Sequence, residues 1–232
     1  MDWECEVAFC ENLANELIAG QDYSVFINPE SGLMRGGLTV DISTGKVTAY
    51  DDFDYGDRNS EARPVVLALT GLGMLPESVW EHMGYWWTTV GNKLPIGESY
   101  GKSAFTELTG NLFFPEASLS PNVLGISHEN YVRATVGIAN GLGYMVYGFA
   151  PCANAPEEYN EYGLSRNGVV TPYAAALLAT MGSDEANKNL KKVLELLQSY
   201  LNSSGLLPDA VSPITGSVMN EQTLTLDQCL LY

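Results

Sequence analysis

The strongest constraint on the fold sits at residues 183–201, SDEANKNLKKVLELLQSYL. Ser183 or Asp184 can cap a helix here. Ala186, Leu190, Val193, Leu194, Leu197 and Leu201 recur at helical spacing, so they fall on one face. Such a face must be buried against another apolar surface. Just upstream, a helix opening at Thr171-Pro172 and running to Thr180 is rich in Ala and Leu. Its small side chains allow close approach. The chain is therefore read as helix packed on helix. At 232 residues it is read as a single domain, 1–232. With 46% hydrophobic and only 17% charged residues, it can build a sizeable core.

The remaining segments extend that reading. Residues 5–19 predict a helix ended by Gly20, and 23–28 predict a strand. Pro29–Gly32 is a turn, followed by short strands at 33–40 and 46–50, a small antiparallel excursion. Helices are expected from Ser60 with Pro64 in the first turn, from Pro76 through Trp80 and Trp87, and from Ser103 to Leu112. Others are expected from His128 to Leu142 with Ser127 as cap, and near Thr223 at the end. That makes about eight helices and no fixed-period repeat. The class is all-α, compatible with an α/α toroid, with a β excursion near residues 23–50.

Charge limits the partners. The 28 acidic against 11 basic residues give −17, a field that repels nucleic acid and anionic lipid and favours a neutral ligand. Cys5, Cys10, Cys152 and Cys229 form no CxxC, and His82 and His128 are the only histidines. No metal site is expected. No apolar run is long enough to span a membrane. The acidic start, Met-Asp-Trp-Glu-Cys-Glu, is not a secretory leader. Asp51–Asp57 imitates a calcium loop, but Tyr55-Gly56 breaks its third ligand position. Gly97-Glu98-Ser99-Tyr100-Gly101-Lys102-Ser103 imitates a phosphate loop but is one residue short between its glycines. No G-x-S-x-G marks a serine nucleophile.

The stretch Gly148–Ala176 carries the chemistry. Glu157, Glu158 and Glu161 stand with Tyr159 and Tyr162 in a Pro/Asn-rich loop leading into the Thr171-Pro172 helix. Carboxylates move protons and aromatic faces hold sugar rings, the combination of carbohydrate sites.

Several segments keep the order of a known family. They are Asn59-Ser60-Glu61-Ala62-Arg63, Leu75 to Trp80, Gly101 to Glu116 (GKSAFTELTGNLFFPE) and Gly125 to Ala134 (GISHENYVRA). Gly148-Phe149-Ala150-Pro151 with Glu161-Tyr162-Gly163, Gly168 to Ala174 (GVVTPYA), Asp209-Ala210-Val211 and Leu224 to Gln228 follow. Over roughly residues 55–232 the chain resembles the bacterial glucoamylase-like family, a domain also found in cyclic glucan synthases. The resemblance implies an (α/α)6 toroid with a central cavity, activity on a glucan or oligosaccharide, and a periplasmic or secreted setting; a monomer without a cofactor is expected. The chain departs from the pattern in keeping only Leu164–Asn167 where the family has a long insertion. It also has Tyr173 where the family has histidine. With about eight helices against a full toroid's twelve, it reads as a shortened or partial toroid open on one side.

Glycosidic hydrolysis needs two carboxyl groups across the scissile bond. The expected catalytic residues are Glu161 beside Tyr162, Glu107 between Phe105 and Leu108, where burial would raise its pKa, and Glu61 at a helix start. His128 and Glu129 are expected to meet sugar hydroxyls. Tyr159, Tyr162, Tyr173 and Trp87 supply aromatic contacts, and Asp227 and Gln228 belong to the closing block of the resemblance. Each has a structural reading beside it: helix-dipole partner for Glu61, capping for His128, core packing for the tryptophans.

Overall fold

The computed structural model describes residues 3–49, 53–155 and 158–220. The chain divides into two compact units. One comprises Met1–Gly56 with Val66–Met83, the other Asp57–Val65 with Gly84–Tyr232.

In the first unit α1 (Trp3–Ala19) is followed by a tight turn at Tyr23–Phe26. Here the strand expected at 23–28 is replaced by a 3₁₀ turn, because Asp22 accepts the Ser24 N–H at 3.0 Å and closes the chain locally. Four short strands follow: β1 (Met34–Arg35), β2 (Leu38–Asp41), β3 (Lys46–Ala49) and β4 (Asp54–Tyr55). β2 and β3 form a hairpin with Leu38 opposite Ala49, and β1 pairs antiparallel with β4. α2 (Ala62–Gly71) begins in the second unit and ends in the first. Val66 of α2 and Val79 of α3 (Glu77–His82) form a small core with Leu75 and Met83 from the segments beside them.

The second unit opens with a hairpin, β5 (Trp87–Val90) and β6 (Leu94–Gly97), with Trp87 opposite Gly97. The sequence predicts one helix through this region. The helix stops at His82 instead, and β-branched Thr88, Thr89 and Val90 pair across a turn that holds Gly91 and Lys93 at positive φ. Next come α4 (Ala104–Leu108), α5 (Glu116–Leu119) and α6 (Ile126–Leu142). A hairpin of β7 (Cys152–Ala155) and β8 (Glu158–Asn160) precedes α7 (Pro172–Ala179) and α8 (Asp184–Ser204). A last pair, β9 (Ala210–Val211) and β10 (Val218–Asn220), ends the described chain.

α7 and α8 pack as their sequences demand. Thr171 caps α7 by accepting the Ala174 N–H at 3.2 Å, and Ser183 caps α8 by accepting that of Ala186 at 3.1 Å. Leu177 and Leu178 of α7 meet the Ala186, Val193 and Leu197 face of α8, joined by Ala104 and Leu108 of α4 and Tyr131 and Ala139 of α6. Gly148 lies on α7 so closely that a Cβ would come within 2.6 Å of the Ala175 backbone nitrogen.

The architecture corrects the all-α, (α/α)6 toroid-like expectation. Among the described residues there are eight helices and five two-stranded antiparallel sheets, 47% helix and 17% strand. The extra strands are two to four residues long and pair locally. Such pairing leaves no trace in a search for helical periodicity.

Candidate functional site

An open pocket of about 340 Å³ lies on the second unit, lined by Asp57, Glu98, Ser99, Tyr100, Lys102 and Ser165. β6 ends at Gly97 and so delivers Glu98 to its edge, where the Glu98 N–H donates to the Trp86 carbonyl at 2.8 Å. The chain then turns sharply, with Gly101 at φ 68° and Lys102 at φ 50°. A left-handed lysine is uncommon and is held here by its surroundings. Its ammonium reaches back to Glu98 at 3.1 Å. Tyr100 projects with three quarters of its surface exposed (75%). Asp57 enters just before α2, its Oδ1 accepting the Asn59 N–H at 2.8 Å.

The two carboxyls differ electrostatically. Burial raises the Asp57 pKa above the usual range. The Asn59 hydrogen bond and Arg63 oppose the shift, and the charge of Glu98 adds to it. For Glu98 burial also acts upward. Hydrogen bonds from Thr88 and Lys102, with the Lys102 charge, outweigh it and hold the group below its ordinary value.

The acidic loop meets this pocket at its rim. Gly163 lies against the Tyr100–Lys102 turn, and a Cβ there would collide with the carbonyls of Gly101 and Lys102. The Leu164 N–H donates to the Lys102 carbonyl at 2.9 Å. This seats Glu161 beside Tyr100, whose phenol is raised by a hydrogen bond to Glu161 and by that residue's charge. Tyr162 is buried beneath, with the Arg166 guanidinium 4.8 Å above its ring.

Behind the pocket lies a buried polar cluster. Arg63 donates from Nε and Nη2 to the two oxygens of Glu116 at 2.7 and 2.9 Å, a bidentate pair out of contact with solvent. Gly110 makes room for it, since a Cβ there would strike the Glu116 carboxylate. Glu107 on α4 is wholly buried and accepts from Asn59 Nδ2 at 2.5 Å and from Ser127 Oγ. Burial raises its pKa, with those two hydrogen bonds and Arg63 acting downward. His128 is buried as well. Its Nδ1 lies 3.1 Å from the Asn111 side-chain nitrogen, and burial, then Arg63, lowers its pKa to about 3. The ring is therefore neutral, and its 3.9 Å approach to Glu116 is no ion pair.

The expected site residues thus scatter. Glu161 reaches the pocket rim, and Glu107 lies inside the buried cluster. Glu61 is exposed just ahead of α2, outside the residues lining the pocket. Glu129 is exposed on α6 beside Arg133 at a different hollow, and Tyr159 is exposed on β8. Tyr173 is buried and donates to the Pro151 carbonyl at 2.7 Å. Trp87 is half-exposed and meets Tyr85 edge-to-face. Glu157, Asp227 and Gln228 lie outside the described residues. Ser127, expected as a cap, sits one residue inside α6 and spends its hydroxyl on Glu107.

Asp57, Glu98 and Tyr100 escaped the sequence reading. They lie in the two stretches that imitate calcium and phosphate loops. The available signal was an acid in each stretch, two residues before a helix-opening Asn-Ser and directly after a strand.

No family model matches the chain, and no curated protein matches it significantly. Among the described residues no group of three or more His, Cys, Asp or Glu is placed to hold a metal. None of the described helices is long and apolar enough to cross a membrane.

Proposed function

We propose that this chain is a glycoside hydrolase acting on a glucan or oligosaccharide at the open pocket of its second unit. The observation that carries the reading is the convergence of two carboxyl groups, Asp57 and Glu98, on one pocket beside the exposed ring of Tyr100. Their opposed pKa shifts fit a division of labour, because one carboxyl must hold a proton while the other stays ionised. The ordered sequence blocks that resemble the glucoamylase-like family support the same substrate class.

In this reading Asp57 gives its proton to the glycosidic oxygen as the bond to the anomeric carbon breaks. Glu98 takes a proton from the water that attacks that carbon from the opposite face. Tyr100 offers its ring to a sugar face, and Glu161 fixes the phenol by accepting its hydrogen bond. Hydrogen bonds from Thr88 and Lys102, with the Lys102 charge, favour the anionic form of Glu98.

The test is release of reducing ends from a panel of α- and β-linked glucans. Asp57→Asn and Glu98→Gln are each expected to lower kcat by about 10²–10⁴-fold while sugar binding persists. The pH profile is bell-shaped. Activity falls on the acid side as Glu98 gains a proton and on the alkaline side as Asp57 loses one. Unchanged hydrolysis in both variants sinks the reading. Binding without hydrolysis by the unaltered protein assigns the pocket to recognition instead.

A further inference from the structure

Glu107 never touches the pocket, yet both of its oxygens lead there. On one side Oε2 accepts from Asn59 Nδ2 at 2.5 Å, and the Asn59 backbone N–H donates to Asp57 Oδ1 at 2.8 Å. On the other side Oε1 accepts from Ser127 Oγ. That hydroxyl in turn accepts the Gly97 N–H at 2.7 Å, one residue before Glu98. We infer that Glu107 is a positioning residue that holds the Asp57 and Glu98 segments of the pocket in register, one through each oxygen. The inference rests on the hydrolase reading for its consequence in turnover, but not for its geometry.

Three further observations bear on it. The two arms touch: a Cβ on Gly97 would come within 2.6 Å of Asn59 Nδ2 and of the Tyr85 hydroxyl. The spacing between the segments therefore depends on a bare backbone at 97. Glu107 itself is anchored, because Arg63 Nη2 donates to its carbonyl at 2.8 Å while Arg63 Nη1 donates to Asn59 Oδ1 at 2.8 Å. Arg63 is fixed by Glu116 in turn. Finally, Glu107 is fully buried with both oxygens occupied, which leaves no lone acid hydrogen aimed at a substrate. A carboxylate suits the place because two donors converge on it. An amide can accept from only one of them.

Each arm can be cut alone. Ser127→Ala removes the Glu98 arm, Asn59→Ala the Asp57 arm, and Glu107→Gln unbalances both. The readout is the titration of the Asp57 and Glu98 carboxyl carbons by NMR in otherwise unaltered protein. The charges facing them are Arg63 and Glu98 for Asp57, and Lys102 for Glu98, and none of these is changed. Ser127→Ala is expected to move the Glu98 midpoint and leave that of Asp57 in place, Asn59→Ala the reverse, and Glu107→Gln to move both. In turnover, Glu107→Gln lowers kcat by up to about 10²-fold with a smaller change in KM, the mark of misplaced rather than missing groups. Where Glu107→Gln does not fold, the two arm variants decide. Both midpoints staying put in every folded variant overturns the inference, even if melting temperatures fall. Full hydrolysis by Asp57→Asn and Glu98→Gln strikes the hydrolase reading instead and leaves the titration result to stand.

Discussion

Two pairs of carboxylates in the second unit, close in the fold, live under opposite rules. Glu107 and Glu116 are sealed inside, each with both oxygens engaged by Asn, Ser or Arg donors. Asp57 and Glu98 line an open pocket, Asp57 held by the Asn59 N–H with Arg63 nearby, Glu98 by Thr88 and Lys102. The buried pair spends its hydrogen-bonding capacity on the protein and is left with a structural task. The open pair faces the pocket instead. Residue type alone does not separate the two; burial and partner count do.

Removing the cation from the inner pair tests that contrast most severely. Arg63→Met leaves Glu116 buried without its partner and should cost about 3–5 kcal/mol, read as a lowered urea midpoint. A loss near zero makes Arg63 and Glu116 no more than a surface-like pair.

His128 gives the next largest effect. Its folded pKa of about 3 lies below the ordinary value, so the unfolded chain takes up a proton first as pH falls. Its contribution to stability is complete above about pH 6.5 and is lost progressively as pH falls toward 3, on the order of 3 kcal/mol by pH 4. Asp57 and Glu107, with raised carboxyls, act in the opposite sense over the acidic range. The difference between the unaltered protein and His128→Gln therefore isolates the imidazole. Parallel stability–pH curves for the two break the account.

The smallest effect is outside. Glu161→Gln removes the charge that raises the Tyr100 phenol, so the Tyr100 ring resonances should titrate at lower pH. Stability should change by less than about 0.5 kcal/mol, as for most exposed substitutions. A Tyr100 titration that does not move detaches Glu161 from the pocket.

How legible this was in the sequence differs between the two regions as well. α7 and α8 could be read because capping residues and an apolar stripe act over a few neighbouring residues: the helix opens at Thr171-Pro172 as expected, and of the two candidate caps Ser183 and Asp184 it is Ser183 that caps α8. The hairpins could not, since Trp87 pairs with Gly97 through partners that a 3.6-residue period does not register. Glu107 was visible as a carboxyl in an apolar segment with a raised pKa. That its donors come from Asn59 and Ser127, far away on either side, was not. Glu98 is not legible in its stretch, which imitates a phosphate loop; its place after β6, on a pocket that Asp57 also lines, comes from the fold.

Gly163 carries one more consequence. It presses backbone to backbone against the turn that forms the pocket's rim, while Ser165, two residues on, lines the pocket itself. The chain there is pinned at one point and exposed at the next. Length added between Leu164 and Asn167 would therefore build a taller wall around the pocket without lifting its floor. Length added just before Gly163 would pull the pin. The short segment after Gly163 is thus the place where this pocket can be made deeper or shallower, with the carboxylates left where they stand.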